Sequence, residues 1–290
     1  MKLIIFGANG LLGNTFTKYF LSKENYETLG IVRNYERISY FQPKFHANFL
    51  IINNIFDFNT LENEIRNFEP DVVINCLGLT NKLKVRNVDF VEKYIQINSL
   101  FPHQLYRICT NYGIRLIQLS TDCVFSGKKG FYNELDNPDP IDIYGKSKLL
   151  GELNYENSLT IRKSVIGHEL FSENGLLEWF LNKSEYVEGY KKAIFSGLTC
   201  LELANILHLY ILPRKDLNGI LHISGKTVSK HDLLKEIAGE YNKNIKIIPN
   251  DNIKIDRTLD ASNFNKLSGY KPKSWSELIK SMHEFNLSNQ

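Results

Sequence analysis

A chain of 290 residues, 43% hydrophobic and 23% charged, can build a substantial core as one large domain or two modest ones. Its formal net charge of +3 is too mild for a nucleic-acid or membrane-surface footprint, and no apolar run approaches the ~20 residues of a membrane span. Four cysteines (Cys76, Cys109, Cys123, Cys200) stand far apart, with no C-x-x-C pair and no neighbouring histidine ligands. That pattern predicts reduced thiols in a cytoplasmic protein, with neither a disulfide frame nor a metal site.

Lys2–Phe6 reads as a β-branched strand, apolar but too short for a secretory leader because it runs straight into GANGLLG. Leu12, Phe16, Tyr19 and Phe20 then mark the buried face of a helix. Strand, glycine turn and helix are the setting of a dinucleotide-binding fingerprint: Gly7 for the tight turn, Gly10 for close approach of a pyrophosphate, Gly13 for helix–strand packing. The spacing G-x-x-G-x-x-G departs from G-x-G-x-x-G, so context carries the reading.

Thr28–Val32 is a second strand ending in Arg33. An acid here suits the ribose hydroxyls of NAD, whereas an Arg suits the 2′-phosphate of NADP; the alternative for Arg33 is a solvated loop charge. Phe49–Ile52 is a third strand, followed by Asp57 and Phe58. Asp57 is suited to an adenine amino group and equally to capping a helix over Leu61–Phe68. Asp71–Cys76 is a nearly all-apolar strand, as expected when both sheet faces are covered, and Leu77, Gly78 and Thr80 follow where backbone would line a cofactor. A long helix is expected from Val88 to Tyr112, kinked by Pro102 and ended by Gly113. Asn98 lies near its inner face, as a satisfied core amide or as a residue bonding backbone beside a site.

Arg115–Leu119 forms the next strand and leads into LSTDCVFSGKKGFYNELDNPDPIDIYGKSKLLGE. Thr121 falls at the strand's C-terminal edge. A helix is expected from Tyr144 to about Tyr155, and a spacing of four puts Tyr144 and Lys148 on one face. Hydroxyl, phenol and ammonium together suit proton exchange with a carbinol oxygen while a hydride moves at its carbon, since an ammonium favours the phenolate. An isolated Y-x-x-x-K is more often core edge plus solvated face, and it is the fingerprint at the start of the chain that raises this one.

Leu159–Ile166 completes an alternation of strand and helix, which predicts an α/β fold: a Rossmann-type doubly wound parallel sheet over residues 1–167. Residues 168–290 read as a smaller C-terminal α/β substrate lid, with part of 194–212 packing back on the first domain. Its elements are helices at Leu176–Asn182 and Thr199–Leu212 with a basic, aromatic link (Tyr190, Lys191, Lys192) between them, a strand at Gly219–Ser224, a helix at Lys230–Tyr241 capped by Ser229, and a last helix to about Phe285 with a Ser274/Glu277 capping box.

GANGLLG, STDCVF and YGKSK together resemble the extended short-chain dehydrogenase/reductases, and within them the dTDP-4-dehydrorhamnose reductase family. INSLFP, FSGLTCLELA and LHISG fall in family order, so the likeness covers nearly the whole chain. The resemblance implies an oxidoreductase that reduces the 4-keto group of a nucleotide-linked 6-deoxy-hexulose with NADPH (NADH as the alternative), in deoxysugar synthesis for surface polysaccharide. It puts Thr121, Tyr144 and Lys148 at the catalytic positions. Gly7, Asn9, Gly10, Leu11, Leu12, Arg33, Asp57, Phe58, Cys76, Leu77, Gly78, Thr80, Asn98, Tyr144 and Lys148 would contact the cofactor. Thr121, Cys123, Phe125, Tyr144, Trp179 and Arg257 would contact a nucleotide-diphosphate sugar.

The chain departs from the family at Cys123, where a Tyr is common. Related dehydratases have Glu there, so Cys123 argues against dehydration. A reductase-epimerase branch uses a Cys at this place together with a downstream His, but His168 does not fall at the expected spacing. Cys123 is therefore read as pocket lining, with epimerase acid the alternative. Arg257 reads as a diphosphate clamp or a solvated loop residue, and Trp179 as facing the sugar or as core. The family also includes a non-catalytic regulatory subunit of a methyl-donor synthetase; retention of Tyr144 and Lys148 favours an enzyme. A homodimer is expected, with no nucleic-acid or membrane partner.

Overall fold

The structure is a computed structural model, and it describes residues 1–80, 88–171 and 173–289. Its contacts divide into two units. The first comprises Met1–Ser120, Asp142–Ile161 and Arg214–Ile220, and the second Thr121–Ile141, Arg162–Pro213 and Leu221–Gln290. This differs from a single cut near residue 167. The chain leaves the first unit directly after Ser120 and returns at Asp142, and residues 194–212 cluster with the second unit.

The first unit is built on strands β1 (Lys2–Phe6), β2 (Glu27–Val32), β3 (Phe49–Ile51), β4 (Val72–Asn75), β5 (Arg115–Leu119), β6 (Ser158–Arg162) and β7 (Gly219–His222). They lie in the order β7-β6-β5-β4-β1-β2-β3, and the pairs from β6 through to β3 are all parallel. Every residue of β4 and β5 is buried, which explains why apolar residues dominate them, with Asn75, Arg115 and Gln118 the exceptions: helices cover both faces of a parallel sheet. From β1 the chain winds outwards through β2 to β3, then crosses back to β4 on β1's other side. The C-terminal ends of β1 and β4 therefore flank a topological switch point, the place where open α/β sheets bind ligands.

Helix α1 (Leu11–Leu21) follows β1 through the glycine turn. Gly7 adopts φ +70°, in the left-handed region that favours glycine. A Cβ on Gly13 would lie 1.9 Å from the Gly7 carbonyl oxygen, so the helix can dock on the turn only with glycine there. Helix α2 (Phe58–Phe68) returns to β4. Between β4 and β5 the expected single helix is interrupted. It consists of α3 (Val88–Tyr94), a π-helical stretch Ile95–Leu100, and α4 (Phe101–Asn111) with Pro102 in its first turn. Pro102 has no N–H for the carbonyl four residues back, and the ladder accommodates this by widening the preceding turn rather than by a simple kink.

Helix α5 (Ile143–Leu150) is shorter than predicted, ending at Gly151 rather than near Tyr155. The chain leaves the helix there to bury Leu153, whose N–H donates to Thr160 Oγ1 on β6 at 2.8 Å. Phe6, Leu61, Val73, Phe101, Leu105 and Leu116 form the centre of the first unit's core.

Among the described residues the second unit has three small sheets. Val165–Ile166 pairs in parallel with Leu198–Thr199, so the predicted strand Leu159–Ile166 is really two strands in different sheets. Ala193–Phe195 pairs with Val228–Ser229 and Ile255–Asp256. Tyr186–Tyr190, expected to lie in a link, is a strand paired with Lys246–Asn250, and its residues alternate between exposed and buried from Tyr186 to Gly189. Around these lie Leu176–Leu181, Cys200–Ile206, Lys230–Glu240 (capped by Ser229), Ser262–Ser268 and Trp275–Ser288, the last carrying the predicted Ser274/Glu277 capping box. No helix among the described residues is long and apolar enough to cross a membrane.

Candidate active site

At the switch point the first unit holds a cavity of about 470 Å³. Of the predicted cofactor residues, Gly7, Asn9, Arg33, Leu77 and Gly78 line it directly. Gly10 starts α1 without capping it by a side chain, and that helix has no acid in its first turn. Its first N–H groups and the positive end of its dipole therefore suit an anion, as a pyrophosphate-binding turn requires. Leu11 and Leu12 follow in the same turn, with Leu12 directed into the core.

The loop after β4 is held by Asn98. This fully buried amide, in the π-helical stretch, accepts from Leu79 N at 2.8 Å and donates to Leu79 O and Ser147 Oγ, both at 3.0 Å. It is thus a satisfied amide that also shapes the site, so the two readings of the sequence merge. Ser147 Oγ donates to Tyr144 O at 3.0 Å, and Ser99 Oγ donates to Ser147 O at 2.8 Å, fastening α5 to the same π-helical stretch. Asp142 caps α5 by accepting from Gly145 N at 2.8 Å. Tyr144 and Lys148 are one helical turn apart on this short, doubly anchored helix.

Lys148 is 4% exposed. A Cβ placed on Gly78 would lie 3.6 Å from Asn98 Oδ1 and 3.8 Å from Lys148 Nζ, so the Lys148 ammonium reaches the glycine that lines the cavity. Cys76 continues the β1–β4 pairing through its N–H to Phe6 O, and Thr80 accepts from Tyr94 OH through its carbonyl. Both hold the loop from behind rather than line the cavity.

Asp57 and Phe58, also expected at the cofactor, are not among the residues that line the cavity. Asp57 is the N-cap of α2: it accepts from Thr60 N at 3.2 Å and from Thr60 Oγ1 at 2.7 Å, bonds that hold its carboxyl below the usual carboxylate range. Phe58 packs against the core beside Phe56. The cavity wall at this point is made earlier in the chain, by Ile52, Asn53, Asn54 and Phe56. Asn34, Arg37, Leu79 and Ile97 were also missed. The available signal was their position just past the C-terminal ends of β2 and β4, and on the inner face of the helix that carries Asn98.

The predicted substrate residues belong to the second unit by contact, apart from Tyr144. Thr121 directly follows the end of β5 and Ser120; its Oγ1 accepts from Cys123 N at 3.2 Å and donates to Asp122 Oδ1 at 3.1 Å. Cys123 is half-buried, and Arg257 Nη1 approaches its Sγ at 3.7 Å. Phe125 is corrected: it is fully buried and stacked on Tyr132 at 4.1 Å, so no ring surface is left for a sugar. Trp179 is half-buried with Lys183 Nζ 5.7 Å from its ring centre. His168 is engaged by Glu178 at 2.7 Å and Tyr241 at 2.8 Å. Cys109 and Cys200 are buried thiols pushed up to about 12 by desolvation.

The site's donor set fits a nicotinamide dinucleotide phosphate. Arg33 and Arg37 supply positive charge at the end of β2, Ile31, Ile52 and Phe56 supply apolar surface, and the α1 turn supplies backbone N–H groups. No His, Cys, Asp or Glu cluster among the described residues could hold a metal ion.

Among proteins of known name, the chain is similar to methionine adenosyltransferase 2 subunit beta. It is 31% identical to the Danio rerio protein over 153 residues, 52% of this chain and 42% of that one, so the match spans less than half of that relative. With the Xenopus tropicalis protein it is 30% identical over 263 residues, covering 83% of this chain and 72% of that one. Among solved structures, a hypothetical dTDP-4-dehydrorhamnose reductase from Sulfolobus tokodaii superposes with a TM-score of 0.77 at 26% identity, covering 95% of this chain and 98% of that one. A dTDP-4-dehydrorhamnose reductase from Bacillus anthracis, in complex with NADP, superposes with a TM-score of 0.75 at 23% identity, covering 98% of each chain. Residues 1–190, which contain the fingerprint, Thr121, Tyr144 and Lys148, match the RmlD substrate binding domain family. The chain belongs to that family.

Proposed function

We propose that the protein is a reductase that uses NADPH on the 4-keto group of a nucleotide-linked 6-deoxy-hexulose, in the manner of the dTDP-4-dehydrorhamnose reductases. The observation that carries this reading is the placement of Lys148 Nζ at the cavity-lining Gly78, on the same short helix as Tyr144. Bound NADPH supplies the hydride. Tyr144 donates its phenolic proton to the carbonyl oxygen as that oxygen gains negative charge. Lys148 would stabilise the phenolate left behind and would help hold the ribose of the bound dinucleotide. Thr121 orients the carbonyl oxygen through its hydroxyl. Asn98 keeps the Leu77–Leu79 backbone and α5 in register with each other.

Arg33, with Arg37, supports NADPH over NADH, because a 2′-phosphate finds cations where NAD-preferring sites place an acid. The second unit is assigned the recognition of the nucleotide sugar, a cytoplasmic substrate. The named reductases among the structural neighbours support an activated deoxysugar as product.

The test is NADPH oxidation across a panel of nucleotide-4-ketosugars, with Tyr144→Phe in parallel. Turnover by the wild type and its loss in the variant, with NADPH still bound, is the expected result. A second reading, a non-catalytic nucleotide-binding subunit, is favoured by the likeness to methionine adenosyltransferase 2 subunit beta over most of the chain. Equal inertness of wild type and Tyr144→Phe on every ketosugar, with NADPH bound by both, would select it.

A further inference from the structure

Thr121 stands at a boundary. The chain leaves the first unit after Ser120, so Thr121 groups with the second unit while Tyr144 and Lys148 belong to the first. Two contacts within the first unit hold the last residue before that exit. Ser120 N donates to Ile161 O on β6 at 2.8 Å, continuing the β5–β6 pairing by one residue. Ser120 Oγ donates to Glu152 Oε1 at 2.6 Å, just past the end of α5. Ser120 is 1% exposed, so its hydroxyl has to be paired inside the protein. A bond of 2.6 Å has the length of an O–H donating to a carboxylate, about twice as strong as a neutral pair.

Glu152 is not where helix stability would put an acid. Helix α5 ends at Gly151, and a carboxylate there meets the negative end of the helix dipole. The backbone on either side of it is fixed. A Cβ on Gly151 would lie 1.9 Å from the Asn98 carbonyl oxygen, so the chain presses on the π-helical stretch immediately before Glu152. Immediately after it, Leu153 N donates to Thr160 Oγ1, and that hydroxyl donates back to Leu153 O, both at 2.8 Å. Glu152 is therefore an arm on a backbone held at both neighbours, reaching from the end of α5 to the last residue of the first unit before Thr121.

We propose that Glu152 is a positioning residue: by holding Ser120 to the end of α5, it fixes the anchor from which the chain delivers the Thr121 hydroxyl to the carbonyl oxygen. This rests on the reading of the protein as a ketosugar reductase. Consecutive Cα atoms are about 3.8 Å apart, so a displacement of Ser120 passes to Thr121 almost whole. An error of about 1 Å at a reacting group can cost about a hundredfold in rate. Glu152 acts through Ser120 and takes no part in the chemical step itself.

The test is stopped-flow reduction of a nucleotide-4-ketosugar by the full chain with NADPH, for wild type, Ser120→Ala, Glu152→Ala, the double variant and Glu152→Gln. Each single Ala variant should slow hydride transfer about ten- to a hundredfold, with KM and NADPH affinity changed less than about twofold. The double variant should be no slower than the slower single one, because the same bond is lost in all three. Glu152→Gln should recover most of the rate, since its amide oxygen still accepts from Ser120. The deuterium isotope effect on kcat, with NADPH labelled at C4, should rise in the Ala variants; a variant that only lowers the folded fraction leaves it unchanged. Ser120→Ala is the mildest change and carries the test if Glu152→Ala does not fold. Full rates in the Ala variants, a loss confined to KM or NADPH affinity, or losses that multiply in the double variant overturn the assignment and leave the reductase reading standing. A wild type that binds NADPH and reduces no ketosugar overturns both, because no hydroxyl is then being placed.

Discussion

Replacing Asn98 with Ala tests whether the site is held together from behind. The amide is fully buried and bonds Leu79 N, Leu79 O and Ser147 Oγ. Ala would orphan the Leu79 N–H and C=O, each worth roughly 1–3 kcal/mol when buried and unpaired. Ser147 would lose one donor but still donate to Tyr144 O, so its contribution is small. Leu79 is only half-buried and can turn partly towards water, which favours the lower half of the range, about 2–4 kcal/mol in all. Asn98→Asp should be no better: its carboxylate still accepts from Leu79 N but sets a second oxygen against Leu79 O. Denaturant unfolding measures the stability loss, and NADPH titration with single-turnover reduction measures the effect on the Gly78–Lys148 placement. Both variants should lose NADPH affinity and turnover together. A loss of less than about 0.5 kcal/mol, the scale of an ordinary surface change, with NADPH affinity intact would refute the bracing role of Asn98.

Two further outcomes follow from individual contacts. Arg33→Glu should cost NADPH about one to two orders of magnitude in affinity and leave NADH far less affected, since a charge-assisted phosphate contact of roughly 1.5–3 kcal/mol is replaced by repulsion; parallel titration of the two dinucleotides decides it, and equal losses would show that Arg33 does not read the 2′-phosphate. Asp57 is held below its ordinary value by the Thr60 hydroxyl and N–H, so the unfolded chain takes up its proton at a higher pH than the folded one. The stabilisation is complete above the unfolded value of about 4 and is lost as pH falls through the folded value. Asp57→Asn keeps a capping oxygen without the titration, so its unfolding midpoint should fall less steeply than wild type below about pH 4; identical slopes would show that the cap does not titrate with folding.

The deuterium label of solvent bears on Cys123. If an epimerase step were built on this thiol, label would enter the product beside the carbonyl carbon, and Cys123→Ser would stop it. Reduction without label leaves Cys123 as lining beside Arg257.

How much was legible in the chain depends on the range of the interactions. The α1 turn is local: Gly7 and Gly13 are needed because backbone meets backbone within seven residues, and such requirements are written directly in sequence. The same holds for the apolar run of β4 and for Tyr144 and Lys148, whose shared face follows from helical period alone. Asp57 shows the limit. An acid before a helix satisfies capping and adenine recognition equally well as a pattern, and only the fold shows that Thr60 takes both of its oxygens. Phe125 was misjudged for a similar reason: adjacency to Thr121 along the chain does not reveal that Tyr132 covers its ring.

The sequence by itself determined the doubly wound parallel sheet, the dinucleotide turn and the phenol–amine pair, because short-range sterics and hydrophobic period dictate them. Tertiary structure alone decided that the chain departs from the first unit at Thr121, that Tyr186–Tyr190 is a strand with a partner at Lys246–Asn250, and that the Lys230 ammonium lies over the Phe195 ring. Each of these joins residues far apart in the chain. No local preference records such a pairing, since the free energy that fixes it comes from burial and charge shared between segments that meet only on folding.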